Sequence, residues 1–190
     1  MKNSLALAIC FFCFQLAAQY NDYGPSQDYP FGRPNPDAPT QITEYSPLIG
    51  TCSCVSIAKK NQTEWTDTVR MKWVFKYIMN GMAVQDETFK EDGSYSGSIR
   101  QYSTDSSKWY VHYYTSKSPV SSLPTWRGGK RDNGNIVLYN EQTTPNGAVG
   151  FYRITFSDIS TAGFNWTGEW VDKTESFSFP MWKIFCRKDE

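Results

Sequence analysis

Residues 69–86 read Val-Arg-Met-Lys-Trp-Val-Phe-Lys-Tyr-Ile-Met-Asn-Gly-Met-Ala-Val-Gln-Asp. Met71, Trp73, Phe75 and Tyr77 fall on one face of an extended chain, while Lys72 and Lys76 fall on the other. This period of two is the mark of a half-buried β-strand. Asn80-Gly81 then supplies a two-residue hairpin signal, because both residues tolerate the positive φ of a type I′ turn. The reading is therefore strand Val69–Met79, turn, strand Met82–Lys90.

Outward from this hairpin the same grammar repeats. Asp92-Gly93 turns into Ser94–Tyr102, and Trp109–Thr115 follows. Trp126–Arg131, Asn135–Glu141, Ala148–Ser157, Gly163–Val171 and Phe177–Arg187 complete the series, with Asn133-Gly134 and Asn146-Gly147 as turns. On the N-terminal side Pro47–Ala58 reads as a first strand. The total is about ten short strands, with no helical pattern long enough to compete. Tight turns between consecutive strands favour an antiparallel up-and-down meander that closes on itself. The expected fold is all-β, a single barrel of about eight to ten strands, large enough to hold a small ligand or to be filled by side chains.

The N-terminal part reads differently. Lys2, the apolar run Leu5–Leu16 and the small residues Ala17-Ala18 have the order of a secretory signal. The run is too short for a permanent span, which needs roughly 20 apolar residues. Cleavage near Ala18 and a periplasmic or secreted protein are expected. Residues 19–46 form a Pro-rich tail or linker, with Thr40 as a candidate cap for a helical turn over Gln41–Tyr45. The barrel occupies residues 47–190.

Cleavage removes Lys2, one of 19 basic residues, against 19 acidic ones. The mature chain is nearly neutral and lacks the basic stripe that nucleic acid requires. Of the 5 cysteines, Cys52, Cys54 and Cys186 lie beyond the signal. Cys52 and Cys54 share a strand face and are poorly placed to bridge each other. If the first and last strands pair, either one can reach Cys186, and export permits the bond. A metal site on Cys52 and Cys54 would have only His112 to add from the histidines, so none is expected. No cofactor is expected either.

The segment Leu48-Ile49-Gly50-Thr51 resembles the Leu-x-Gly-x-Trp opening of lipocalin-like barrels, with Cys52 in place of the Trp. Trp73–Asp86 resembles the second hairpin of a bacterial lipocalin-like family of unassigned function. Lys108–Val111, Gly134–Leu138 and Arg153–Ile159 are similar to later pieces of it. The resemblance spans residues 47–188 and implies a calycin-type barrel. It carries no catalytic residues to this chain.

The candidate ligand contacts are Arg127, Trp126, His112, Tyr114, Trp73 and Arg153. Arg127 beside Trp126 is the first choice for an inward guanidinium, which pairs well with a carboxylate. Arg100, Arg131 and Arg153 are the other strand arginines. Arg187 stands near the last-strand arginine of intracellular lipid-binding proteins, but Lys188-Asp189 replaces the expected continuation. His112 shares a face with Tyr110 and Tyr114. If that face points inward it offers a base; if outward, a surface histidine. Asp86-Glu87 and the Glu169/Asp172 pair do not meet the cleft geometry of glycoside cleavage, since neighbours on a strand face opposite ways.

The leading expectation is an exported monomer holding a small apolar or amphipathic ligand, with no assigned catalytic residue. An enzyme or accessory factor in envelope or polysaccharide metabolism, built on His112 and Arg127, is one alternative. A structural module that engages a partner through the Pro-rich tail is the other.

Overall fold

The structure, a computed structural model, describes residues 22–144 and 146–189. The expected signal and its cleavage position lie outside the described residues. Ten antiparallel strands form a closed barrel: β1 (Gly50–Ala58), β2 (Val69–Ile78), β3 (Ala83–Lys90), β4 (Tyr95–Ser103), β5 (Lys108–Thr115), β6 (Thr125–Lys130), β7 (Ile136–Thr143), β8 (Val149–Ser160), β9 (Gly163–Asp172) and β10 (Ser178–Lys188). Each strand pairs with its sequence neighbour, and β1 pairs with β10 to complete the ring. The all-β, up-and-down reading holds.

Alternation fixes which side chains face inward. On β2, Met71, Trp73, Phe75 and Tyr77 are buried while Arg70 and Lys72 are exposed. The facing row on β3 is Val84, Asp86 and Thr88. The β2–β3 connection is longer than the sequence implied. Met79, Asn80 and Gly81 all have positive φ, so Met79 and Met82 belong to the turn and not to the strands. On β6, Gly128 permits close strand approach, since a Cβ there would sit 2.1 Å from the Val137 carbonyl oxygen.

The seam carries a disulfide. Cys54 and Cys186 are direct partners across β1 and β10 and are bonded to each other. Cys52, buried two residues earlier, has no disulfide partner among the described residues. Of the two pairings open in the sequence, register selects Cys54, because Cys52 stands opposite Lys188.

One end of the barrel is closed by a 3-10 helix, Thr40–Leu48. Pro47 lies inside this helix, so β1 begins at Gly50 and not at Pro47. Thr40 does not cap it: the N-cap position is Pro39, and no side chain bonds there. Ile42, Tyr45 and Leu48 are buried in the barrel core. The Tyr45 ring lies 4.8 Å from that of Trp109 and 6.2 Å from that of Phe156, both edge-on. Two polar ties hold the plug. Trp109 Nε1 donates to Glu44 Oε2 at 2.8 Å, and the Ser46 and Tyr77 hydroxyls are 2.7 Å apart. Burying a large aromatic side chain contributes roughly 1.5–3 kcal/mol.

Upstream of the plug, the Pro-rich segment bonds to the end of β2 and to the β2–β3 connection. Tyr23 N donates to Asn80 Oδ1 at 2.9 Å, and Tyr77 N donates to the Phe31 carbonyl at 2.8 Å.

Candidate functional site

Beyond the Tyr45 plug and its aromatic layer, the barrel interior opens into a cavity of about 270 Å³. Its walls differ in chemistry. Trp126, Tyr152, Trp166, Trp182 and Ile184 line one side, from β6 and β8–β10. Asp86, Thr88, Lys90, Ser96, Ser98 and Arg100 line the other, from β3 and β4. Trp73 and Met71 on β2 join the two walls.

The aromatic wall is braced. Trp166 and Trp182 meet edge-on at 5.2 Å, and Trp182 Nε1 donates to Ser56 Oγ at 2.7 Å. Trp126 Nε1 donates to the Tyr152 carbonyl at 3.1 Å. Gly168 makes room for this arrangement: a Cβ there would lie 2.3 Å from the Tyr152 hydroxyl and 2.7 Å from the Trp166 ring. Burial pushes the Tyr152 phenol up to about 12, so it stays neutral at ordinary pH.

The polar wall ends in a buried ion pair between Arg100 and Asp86. Asp86 also accepts from Trp73 Nε1 at 2.7 Å and from the Ser98 hydroxyl. The Arg100 guanidinium lies 5.1 Å from both the Tyr45 and Phe75 ring centroids and 5.8 Å from that of Phe156. Such desolvated stacking attracts the cation to the ring faces. Among the described residues Arg100 Nε has no hydrogen-bond partner, and neither does the Tyr45 hydroxyl. Burial, partly offset by Arg100, pushes the Tyr45 phenol up to about 12. A buried pair of this kind costs much of its attraction in desolvation, and removing one partner is strongly destabilising.

The candidate residues read from sequence divide into two groups. Trp73 and Trp126 line the cavity. Arg127, His112, Tyr114 and Arg153 do not, because each is one residue out of phase with an inward neighbour. Trp126 faces in, so Arg127 faces out and lines an open surface depression over β6–β8 of about 870 Å³. That depression is larger than the interior cavity but lies outside the barrel wall. Val111 and Tyr113 line the cavity, so His112 and Tyr114 face outward. His112 Nδ1 is 2.9 Å from the Thr125 hydroxyl, and the Tyr114 hydroxyl accepts from Gln85 Nε2 at 2.8 Å. Arg153 bonds Glu169 at 3.0 Å and also Glu175 on the outer surface. His112 and Arg127 thus supply no base and no cation to the interior. The inward guanidinium belongs to Arg100, and Asp86 already neutralises it.

No family model matches the chain, and no curated protein matches it. Among the described residues no cluster of His, Cys, Asp and Glu is arranged to hold a metal. No described helix is long and apolar enough to cross a membrane.

Sequence reasoning missed Lys90, Ser96, Ser98, Tyr152 and Trp182 as cavity residues. The register signal was present in the β2 alternation, since antiparallel pairing carries Met71 to Lys90 and Trp73 to Thr88. Propagating that phase across β3 and β4 would have named the polar wall.

Proposed function

We propose that this protein is an exported, monomeric binding protein whose barrel holds one small apolar or amphipathic ligand. The observation that carries the reading is the interior cavity, with tryptophans 73, 126, 166 and 182 in its lining. Its volume equals about nine liquid waters at ~30 Å³ each. That limits the occupant to on the order of ten non-hydrogen atoms, below the usual range of drug-sized sites, roughly 300–1,000 Å³. Flat aromatic walls favour a ring or a short chain that displaces poorly hydrated space. The resemblance to lipocalin-like barrels supports the reading, as does the disulfide, which fits an oxidising compartment.

Tryptophan fluorescence tests this. Titration with small aromatic and aliphatic compounds should give saturable quenching at one site, and native mass spectrometry should show one bound molecule. A panel of such compounds that leaves both signals unchanged refutes the proposal. So does a Trp166→Ala variant that is folded and binds as well as the parent.

A further inference from the structure

The ammonium of Lys90 sits at the mouth of the cavity with no carboxylate partner among the described residues. Lys90 is the last residue of β3, beside the β3–β4 turn, at the end opposite the Tyr45 plug. It lines the cavity, and its Nζ lies 4.5 Å from the Trp182 ring centroid. Trp182 is itself fixed by its bond to Ser56 and its contact with Trp166. Among the described residues no carboxylate pairs with Lys90. Asp92, on the adjoining turn, is engaged by Lys117 Nζ at 2.9 Å and by Ser94. Burial lowers the Lys90 pKa, with Lys117 adding to the effect and Asp92 opposing it. A half-buried cation over an apolar chamber gains more from an incoming anion than an exposed one does, because less water must be displaced and less screening remains.

The charge inside the chamber agrees. Its lining holds two cations, Lys90 and Arg100, and one anion, Asp86. Arg100 and Asp86 neutralise each other. The interior is therefore short of one negative charge, at the mouth and not at the floor.

We propose that the cavity selects a small amphipathic monocarboxylate, with its carboxylate paired to Lys90 and its apolar end packed between Trp166, Trp126 and Trp73. This deepens the binding reading given above and rests on it. Polarity is fixed by the walls: the Tyr45 end is sealed, so the charged group stays at the opening and the tail points inward. A cationic ligand of the same size meets Lys90 at the entrance and is repelled.

One skeleton in three charge states tests the inference. The probes are 3-phenylpropionate, 3-phenylpropan-1-ol and 3-phenylpropylamine, each titrated at neutral pH by tryptophan fluorescence and calorimetry against the parent protein, Lys90→Met and Lys90→Arg. The expected order is acid, then alcohol, then amine. The acid is favoured over the alcohol by about tenfold or more, the size of a charge-assisted hydrogen bond. Lys90→Met should abolish the acid's advantage over the alcohol in a protein that still melts cooperatively. Lys90→Arg should keep the advantage. An alcohol that binds as tightly as the acid, with no change in Lys90→Met, overturns the assignment of Lys90 and leaves the binding cavity standing. Failure of all three probes, in a protein whose native mass shows no ligand, overturns the cavity reading itself.

Discussion

Replacing both Cys54 and Cys186 by Ala should cost the protein about 3–5 kcal/mol of stability. The bond closes a loop with a sequence separation of 132. In the chain-entropy treatment, closing such a loop removes about 17 cal/mol/K from the unfolded ensemble, or about 5 kcal/mol at 25 °C. The β1–β10 ladder lowers the realised value, because its cross-strand pairs hold the seam without the bond. At roughly 2–4 °C per kcal/mol for a chain of this size, the melting temperature should fall by about 6–20 °C. Urea unfolding followed by tryptophan fluorescence gives the free energy directly. Its m-value should rise in the variant, since an unlinked chain exposes more surface when unfolded. Cys52→Ala is the control. It removes an equally buried thiol from the same strand face without opening a loop, and should cost about 1 kcal/mol. A double variant that loses no more than the control refutes the reasoning. So does peptide mapping that finds Cys52 in the bond.

Tyr45→Ala should cost about 3–5 kcal/mol, as for other fully buried aromatics, and should open the sealed end, measured by faster access of acrylamide to tryptophan. Asp86→Asn leaves Arg100 buried without its counter-charge and should destabilise by about 3–5 kcal/mol. Asp86→Asn combined with Arg100→Met should recover part of that loss in denaturant titrations; a double variant less stable than Asp86→Asn would argue against the pairing. Gly168→Ala should overpack the cavity wall, lowering stability by about 1–3 kcal/mol and weakening ligand uptake. Alkaline pH should also destabilise the fold. Burial pushes folded Tyr45 and Tyr152 up to about 12, whereas a solvated phenol ionises near 10.0. Between those values the unfolded chain loses protons that the folded chain keeps, so stability falls by about 1.4 kcal/mol per pH unit for each tyrosine. Phenolate absorbance that reaches the full amplitude of all 12 tyrosines below pH 11 in fully folded protein would contradict this.

Much of the architecture was legible because β2 alternates cleanly and the Asn-Gly and Asp-Gly pairs mark the turns. The count of about ten strands and the antiparallel meander followed from those signals alone. The candidate site was harder to read because β4 and β5 do not declare an inner face. On β5, Trp109, Val111 and Tyr113 oppose Tyr110, His112 and Tyr114, and both sets are aromatic. On β4, the inward row is Ser96, Ser98, Arg100 and Tyr102, which reads as solvent-facing until the barrel is closed. Arg127 next to Trp126 looked like a pocket pair, but adjacency on a strand separates side chains to opposite faces. The Tyr45 plug was unreadable for another reason. A 3-10 turn in a Pro-rich stretch gives no periodic pattern, and what it covers depends on where the barrel mouth lies.

The ring has a kinetic consequence at β1–β10. Every other ladder joins sequence neighbours and can zip locally, whereas this one waits for chain ends far apart in sequence to meet. Until they do, the sheet is an open ribbon with two bare margins, and Val55 and Phe185 stand directly opposite each other on those margins with their side chains exposed. Unpaired margins of that kind recruit strands from other molecules. Oxidation of the thiols within this one ladder therefore does more than add stability. It holds the two margins together once they have zipped and so lowers the population of open ribbon from which aggregation starts.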